Sequence, residues 1–284
     1  MMSQFWIRDA TLQIGANKYT LGGLNFSFDI PFEDSDELCT ATVQAYNLSA
    51  GTRSGIKKGH VVIINAGYEG DIGAVFVGKV AGLSHKKDTT DWITKITATV
   101  ALDEWLSAQV NKTYKKSIKA KDLVADLLNI FGLEVGVFDL AINKEYPRGR
   151  VCKGKLKDVL REIIVSDCKS RMLIRPTGQI IINNPEDGAN KGYLLSPGTG
   201  LLRSTDEVEA IPIETDLNSK KTSETKAEEE NLKTRASLLN YHLGPADIIK
   251  IQSRDLNGRF MIVRGRHIGS QSGDWKTEIE VRPI

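Results

Sequence analysis

Alternating apolar and polar residues dominate the first part of the chain. The clearest runs are residues 24–30 and 39–46, and a longer one covers residues 92–102. This period of two is typical of strands that bury one face, and turn residues such as those at 15–17 separate the runs. Because no strong amphipathic helix lies among them, the strands predict a β-sandwich or β-barrel over residues 1–111.

Helical periodicity replaces this alternation in the middle of the chain. Apolar residues recur every three or four positions from Lys121 to Phe131 and again from Leu156 to Val165, which predicts two amphipathic helices. Gly132 is a natural C-terminal stop for the first helix, and the turn residues Pro176-Thr177-Gly178 predict a β-hairpin after the second. We therefore expect residues 112–191 to form a small α+β domain.

The β-type alternation returns from residue 192 to the C-terminus, with one interruption. Residues 216–233 are mainly Ser, Thr, Lys and Glu, and such a segment cannot bury enough apolar surface to offset the entropy of ordering it. We expect a mobile charged loop there, inside a C-terminal β domain of residues 192–284. The predicted fold class is therefore mainly β with an α+β insertion: two related β-barrel or sandwich domains that flank a small α+β domain.

Two stretches of the chain repeat the same order of motifs. Residues 58–100 contain K-G-H-V-V-I-I, a later histidine and D-W-I-T-K-I, and residues 245–281 contain P-A-D-I-I-K-I, a later histidine and D-W-K-T-E-I. The repeat predicts two copies of one β unit. The positions that we interpret as structural anchors of the two copies are His85, Trp92, Thr94 and Ile96 in the first and His267, Trp275, Thr277 and Ile279 in the second.

The histidines are interpreted as structural. His60, His85, His242 and His267 show neither the short ligand spacing of a zinc site nor an H-E-x-x-H pair. His85 and His267 occupy equivalent repeat positions, which favours hydrogen bonding within the end of a β-barrel over metal binding or catalysis.

The repeated tryptophans have two interpretations. Trp92 and Trp275 are most simply anchors in the core or at strand ends, where the ring packs and the indole N–H finds an acceptor. The alternative is a platform that binds carbohydrate.

No catalytic, cofactor or metal site is predicted. The sequence has no P-loop, nucleophile elbow or Rossmann fingerprint. A glycosidase needs two carboxylates held across a cleft, and no motif singles out a pair among the acidic residues Glu104, Glu134, Asp139 and Glu145. We expect a protein that is not an enzyme and needs no cofactor.

Composition describes an ordinary folded protein. The 284 residues are 40% hydrophobic, enough for two or three domains, and 38 Lys and Arg nearly balance 36 Asp and Glu. The three cysteines are an odd number without C-x-x-C spacing, which argues against a disulfide framework or a zinc ribbon. A basic leader with an apolar run and a stretch of eighteen apolar residues are both missing from the sequence, so we expect neither a signal peptide nor a membrane span.

One local cluster of positive charge invites a nucleic-acid interpretation. A channel that conducts DNA could be lined by such groups, but specific readout needs an element that enters a groove, and the sequence shows none. A solvated edge between domains is the favoured interpretation. The cluster consists of Lys112, Lys115, Lys116, Lys119 and Lys121.

Taken in order along nearly the whole chain, several motifs resemble the tube-domain-containing baseplate hub proteins of contractile phage tails. They are A-Y-N-L-S at 45–49, I-K-K-G-H-V-V-I-I-N-A-G-Y-E-G at 56–70, and I-I-K-I-Q-S-R-D-L-N-G-R-F at 248–260 followed by D-W-K-T. The resemblance implies two tube-type β domains that flank a smaller domain. It also implies a trimeric ring whose six β domains imitate the sixfold tail tube and join it to the threefold central spike.

The resemblance further sets the expected partners and location. The chain would be a homotrimer in the assembled particle, in contact with the central spike protein, the tail tube or a tube-initiator protein, and other baseplate proteins. DNA would pass through the ring without specific binding. The protein would be made in the host bacterial cytoplasm and reside in the tail baseplate of a phage or phage-like particle. The alternatives from other classes are a tail-associated peptidoglycan-degrading enzyme and a tail component that binds a host glycan or receptor.

Overall fold

The structure is a computed structural model. It describes residues 7–100, 107–132, 134–189, 191–202 and 232–284. Strands outweigh helices in these residues, and along the chain a β-rich part precedes and another follows a smaller part that contains both helices and strands. The predicted fold class, mainly β with an α+β insertion, is confirmed. The predicted charged loop at 216–233 lies outside the described residues except for its last two positions.

The N-terminal unit, residues 7–100, consists of antiparallel strands and one short helix. Its elements are β1 (Arg8–Ile14), β2 (Asn17–Thr20), β3 (Phe26–Glu33), β4 (Thr40–Tyr46), α1 (Ala50–Gly55), β5 (Val61–Tyr68), β6 (Asp71–Asp88) and β7 (Asp91–Thr99). Pairing runs in the order β2-β1-β5-β6-β7-β4-β3. Alternate side chains are buried along β3 and β4, so the alternation in the sequence marks the face that each strand turns to the core.

Strand β6 pairs with different neighbours along its two halves. Its first half, Asp71 to Lys79, pairs with β5, and its second half, Lys79 to Asp88, pairs with β7. The register shifts between Val80 and Gly82, where Ala81 is the extra residue. A bulge of this kind bends the strand, so one 18-residue strand pairs with β5 before the bend and with β7 after it.

The middle unit, which lies between the two β units in the sequence, contains two helices and several short strands. Its elements are β8 (Gln109–Tyr114), β9 (Ile118–Lys119), α2 (Ala120–Phe131), β10 (Val135–Phe138), β11 (Glu145–Tyr146), β12 (Arg150–Lys155), α3 (Leu156–Arg161), a π-helical segment (Glu162–Asp167), β13 (Arg171–Ile174) and β14 (Ile180–Asn183). The strands form the sheet β10-β14-β13 and the pairs β9-β11 and β8-β12.

Helix α2 is present at the predicted place and ends as predicted. Gly132 adopts a left-handed conformation with φ 71°, and its N–H donates to the Leu128 carbonyl at 3.1 Å. The second predicted helix differs in its last part, because α3 changes into the π-helical segment after Arg161. Asp167 at the end of that segment accepts hydrogen bonds from Lys144, Tyr146 and Arg150 at 2.6–2.7 Å.

The C-terminal unit repeats part of the first. Its elements are β15 (Lys191–Leu195), a 3₁₀ turn (Pro197–Thr199), β16 (Lys233–Leu238), β17 (Ile248–Gln252), β18 (Asn257–Ser270) and β19 (Trp275–Pro283). Strand β18 is bent like β6: its start pairs with β17, and its remainder pairs with β19. The copies also differ, since β15 lies parallel to β17 whereas β1 lies antiparallel to β5.

The two β units are joined edge to edge. Strand β18 of the C-terminal unit pairs antiparallel with β3 of the N-terminal unit, so both belong to one 12-stranded sheet. Phe32 of β3 lies in the hydrophobic core of the C-terminal unit, and Trp275 of β19 lies in the core that the N-terminal and middle units share. We call the β3-β18 contact, with the side chains that cover it, the joint.

Candidate functional site

The repeated segments form the same hairpin in both units. Each hairpin has its bulge at the same register, at Ala81 in the first and Val263 in the second. The spacing from histidine to tryptophan is one residue longer in the second copy, and the extra residue lies in the turn, so the pairing is unaffected. The cross-strand pairs are Leu83–Ile96, His85–Thr94 and Lys87–Trp92 in the first hairpin and Gly265–Ile279, His267–Thr277 and Gly269–Trp275 in the second.

The two histidines make the same hydrogen bond in different surroundings. Nδ1 of His85 lies 3.2 Å from Oγ1 of Thr94, and Nδ1 of His267 lies 2.9 Å from Oγ1 of Thr277. Both threonines are fully buried. His85 is exposed, whereas His267 is buried beside the Phe32 ring at a centroid distance of 4.9 Å. The difference arises because β3 covers the second hairpin only.

The tryptophans differ in the same way. Trp275 is buried, its Nε1–H donates to the Gly67 carbonyl at 3.2 Å, and its ring meets the edge of Phe28 at 5.8 Å. Trp92 is 38% exposed and lies under the guanidinium of Arg53 at 4.2 Å. Trp275 is thus an anchor between the two β units, and a carbohydrate could not reach it as a platform.

Close packing of rings on glycines defines the joint. Strand β3 faces β18 so that Phe32 is opposite Gly265 and Phe28 is opposite Gly269. A Cβ atom at Gly265 would lie 2.7 Å from the Phe32 ring, and one at Gly269 would overlap the Phe28 ring. Glycine within a strand often marks such a close approach.

Paired charges stabilise the second hairpin next to the joint. Arg264 binds Glu280 and Arg266 binds Glu278, each at 2.6 Å, and Lys276 binds Glu278 at 2.8 Å. Burial acts to raise the pKa of Glu278, but hydrogen bonds from Lys276 and Arg266 outweigh it and hold the pKa below the usual value for glutamate. Both carboxylates are nearly inaccessible, and a buried carboxylate is tolerated only with such partners.

Four residues at the joint, Phe28, Phe32, Gly265 and Gly269, were not among the predicted anchors. Phe28 and Phe32 lie outside the repeated motif, and Gly265 and Gly269 occupy positions where the two copies differ. In the first hairpin those positions are Leu83 and Lys87. The sequence therefore marks the joint by positions at which the two copies differ. The predicted anchors are positions that the two copies share.

Among the described residues, the remaining histidines and carboxylates do not gather into a second site. His60 lies beside Gly15, and His242 stacks on Tyr241 at 4.0 Å. Glu134 accepts a hydrogen bond from Gln179 at 2.9 Å, and Glu104 lies outside the described residues. Within the part of the chain that the structure describes, His, Cys, Asp and Glu nowhere gather in a group that could hold a metal ion. Cys39, Cys152 and Cys168 are buried free thiols.

The lysine cluster is partly neutralised. Lys112 forms an ion pair with Asp126, which also accepts a hydrogen bond from the Tyr114 hydroxyl at 2.5 Å. Lys115 and Lys116 are exposed in the turn after β8. Among the described residues, no helix is long and apolar enough to cross a membrane.

Solved structures with a similar fold include two tail proteins and a protein described as similar to tail proteins. The 43 kDa tail protein of prophage MuSo2 from Shewanella oneidensis is 12% identical with a TM-score of 0.62, and the match covers 96% of this chain and 97% of that one. The tail protein from Neisseria meningitidis MC58 is 9% identical with a TM-score of 0.63, covering 97% and 96%. An Escherichia coli component of the type VI secretion system, described as structurally similar to T4 bacteriophage tail proteins gp27 and gp5, is 12% identical with a TM-score of 0.59, covering 96% and 76%.

These comparisons establish the fold. No protein-family model and no curated protein matches the sequence. The chain has the fold of the two tail proteins along nearly the whole length of both partners. The resemblance to phage tail proteins drawn from the sequence motifs is thereby confirmed at the level of the fold.

Adding a methyl group at the joint should destabilise the protein. Gly269→Ala places a Cβ inside the Phe28 ring, so we expect the free energy of unfolding in urea to fall by about 1–3 kcal/mol, the usual cost of overpacking. Gly82→Ala is the matched control, because its Cβ would meet Thr97 at an ordinary 3.6 Å in the other hairpin. Equal losses in both variants would contradict the assignment of Gly269 to a close contact.

The equivalent tryptophans should differ in their contribution to stability. Trp275→Ala removes a buried ring and leaves a cavity between the units, and we expect a loss of about 3–5 kcal/mol. Trp92→Ala removes an exposed ring and a cation–π contact, and should cost about 1 kcal/mol or less. Urea unfolding of the two variants measures both values, and a larger loss for Trp92→Ala would be incompatible with the observed burial.

The buried His267 should make stability fall at acid pH. Burial lowers its pKa from 6.5 to about 4, against a weaker opposing effect of a hydrogen bond with the Leu243 backbone. The unfolded chain therefore binds the proton more readily, so the stabilisation is complete above pH 6.5 and declines as pH falls towards 4, by about 3 kcal/mol in all.

The measurement is the urea midpoint from pH 7 to pH 4 for the wild type, His267→Gln and His85→Gln. We expect the His267→Gln curve to be flatter than the wild-type curve. His85→Gln leaves the buried imidazole in place and should keep the wild-type slope. Identical slopes for all three proteins would show that His267 does not titrate as its burial requires.

Proposed function

We propose that the chain is a structural component of a phage-type tail, a baseplate hub in which three chains form a ring of six β units. The observation that supports this most directly is the joint. It places two copies of one repeat unit side by side in a continuous sheet, as neighbours in a ring would be placed. Three such chains supply six similar units with threefold symmetry.

The middle unit gives the proposed ring its second symmetry. It occurs once in each chain and binds both β units, through Arg171 to Asp34 in the segment after β3 and through Arg175 to Asp247 in the segment before β17. A trimer would therefore carry six β units but only three middle units. One face could match a sixfold tail tube, while the other presents a threefold pattern to a central spike.

The fold comparisons agree with this assignment. Tail proteins from two bacteria have the same fold over nearly the whole chain, and the secretion-system component is described as similar to T4 tail proteins. As partners of this chain we propose the central spike, the tail tube or a tube initiator, and other baseplate proteins. DNA would pass through the ring without specific binding, and the protein would reside in the tail baseplate.

The proposed role includes no catalytic step. The side chains that both units share form packing contacts and a histidine–threonine hydrogen bond, as at His85 and His267. Their contribution is to hold two hairpins in one geometry. We therefore assign the chain to assembly, with subunit interfaces on the order of 2,000 Å² or more, as permanent complexes require.

The stoichiometry of the assembled particle tests this proposal. We expect native mass spectrometry of the purified chain, alone and with its co-expressed spike protein, to give a trimer in at least one of the two samples. Electron microscopy of that trimer should show six similar densities around a central opening. The sample without spike is the control that separates self-assembly from assembly on the spike. A stable dimer, or a ring with another number of chains in both samples, would exclude the hub.

A further inference from the structure

Strands β8 and β12 of the middle unit form a two-stranded ribbon with one exposed face. Their antiparallel ladder runs from the pair Gln109–Lys155 to the pair Tyr114–Arg150. Successive side chains of a strand point to opposite faces, so every second residue of each strand lies on the same side of the ribbon. On one side all six residues are exposed. We call this side the outer face, and its residues are Gln109, Asn111, Thr113, Val151, Lys153 and Lys155.

The opposite face of the ribbon is packed, and its charges are paired. Cys152 is buried there. Lys112 forms an ion pair with Asp126 of helix α2, and Arg150 binds Asp167 at 2.7 Å. The ribbon is therefore held against the rest of the middle unit by one face and presents the other face to solvent.

The outer face carries positive charge without a carboxylate beside it. Lys153 and Lys155 share it with one valine and three uncharged polar side chains. Neither lysine forms an ion pair within the described ranges of the chain. Residues 107–189 contain 15 Lys and Arg and 10 Asp and Glu, a net charge of +5, whereas the whole chain has +2. The excess positive charge of the protein is therefore concentrated in the unit that contains the ribbon.

Two turns extend this charge at one end of the ribbon. The N–H groups of Ser117 and Gly149 both donate to the carbonyl of Tyr146, at 3.0 and 2.9 Å, so the turn after β8 lies against the turn before β12. The cations in these turns are all exposed, and they are Lys115, Lys116 and Arg148. Together with the two lysines of the outer face they make five exposed cations on the ribbon and its end.

We propose that the outer face binds the phosphate backbone of double-stranded DNA, independently of its sequence. Lysine and arginine neutralise phosphates, and asparagine, glutamine and threonine side chains also contact phosphate oxygens. The two strands of a ribbon lie about 5 Å apart, and the major groove of B-DNA, about 12 Å wide, admits a two-stranded ribbon. Each chain carries this face whether or not a ring forms, so the inference goes beyond the proposed hub. Contacts to phosphates also agree with the passage of DNA without specific binding.

The composition of the outer face separates this ligand from two others. Protein interfaces are depleted of lysine, and their energy comes mainly from buried aromatic or arginine anchors. Val151, which is 65% exposed, is the single apolar side chain of the outer face. Single-stranded nucleic acid stacks on aromatic side chains, and the outer face has none. The observations therefore favour duplex DNA over an acidic protein surface and over a single strand.

Salt-dependent DNA binding tests the assignment. The polarisation of a fluorescent duplex of mixed sequence is measured with the full-length chain between about 50 and 200 mM salt. We expect the logarithm of the association constant to fall with the logarithm of the salt concentration with a slope of about −4, since each phosphate contact contributes about −0.9. Lys153→Gln with Lys155→Gln should weaken binding about tenfold or more and make the slope shallower by about two.

Two controls separate the outer face from net charge. Lys86→Gln with Lys87→Gln removes the same charge from exposed positions on β6 and should bind DNA like the wild type. Asn111→Asp places a carboxylate opposite Lys153 and should weaken binding, whereas Asn129→Asp on the exposed side of α2 should not. The urea midpoint of each variant shows that it is folded.

Three results would overturn the proposal. One is the absence of duplex binding at about 50 mM salt, where phosphate contacts are strong. Another is equal weakening by the two pairs of lysine substitutions, which would reduce the effect to net charge. The third is tighter binding of a single strand than of the duplex. Loss of spike binding in the Lys153 and Lys155 variant, without any DNA binding by the wild type, would assign the outer face to an acidic protein surface instead.

Discussion

The joint between β3 and β18 is the constraint on which the rest of the structure depends. At the joint each unit contributes an aromatic side chain to the hydrophobic core of the other. Phe32 lies in the core of the C-terminal unit, and Trp275 lies in the core that contains the N-terminal unit. A buried aromatic side chain contributes about 1.5–3 kcal/mol, so separating the units would expose surface that each core needs. The relative orientation of the two units is therefore fixed by hydrophobic packing as well as by backbone hydrogen bonds.

The two copies share a backbone and differ in what their side chains contact. The bulge, the register and the histidine–threonine pair are the same in both hairpins. The differences concentrate at the positions that face β3, where Gly265 and Gly269 replace Leu83 and Lys87. A duplicated unit needs both properties, because a common backbone gives similar neighbours in a sheet, and differing contact positions prevent identical copies from pairing indiscriminately.

Local patterns in the sequence predicted the elements well and the contacts between them poorly. The strands of the N-terminal unit and helix α2 with its Gly132 stop follow from periodicity and capping, which depend on neighbouring residues. The π-helical end of the second helix could not be read this way, because Asp167 there is held by Lys144, Tyr146 and Arg150 from other elements. Such tertiary contacts override local propensity.

The candidate site shows the same limit. The repeated motif predicts both hairpins and the positions that they share, but it gives Trp92 and Trp275 the same role although only Trp275 is buried. Burial of the tryptophan depends on which hairpin has its edge strand paired with β3. That pairing joins residues more than 200 positions apart in the sequence, so local patterns do not predict it. The sequence difference that accompanies the burial of Trp275 is the presence of Gly265 and Gly269. These glycines stand out only when the two copies are compared for the positions at which they differ.

The middle unit forms an ion pair with each of the two β units. Arg171 binds Asp34 directly after β3, and Arg175 binds Asp247 directly before β17, so the middle unit contacts a segment next to a strand of each β unit. Asp247 is almost inaccessible, and a buried carboxylate of this kind is stable only while its arginine stays in place. The pair of β units therefore cannot rotate about the joint without breaking a buried ion pair. The chain therefore has two nearly equivalent hairpins and a single middle unit linked to both, an arrangement that the proposed adaptor between six similar contacts and three similar contacts would need.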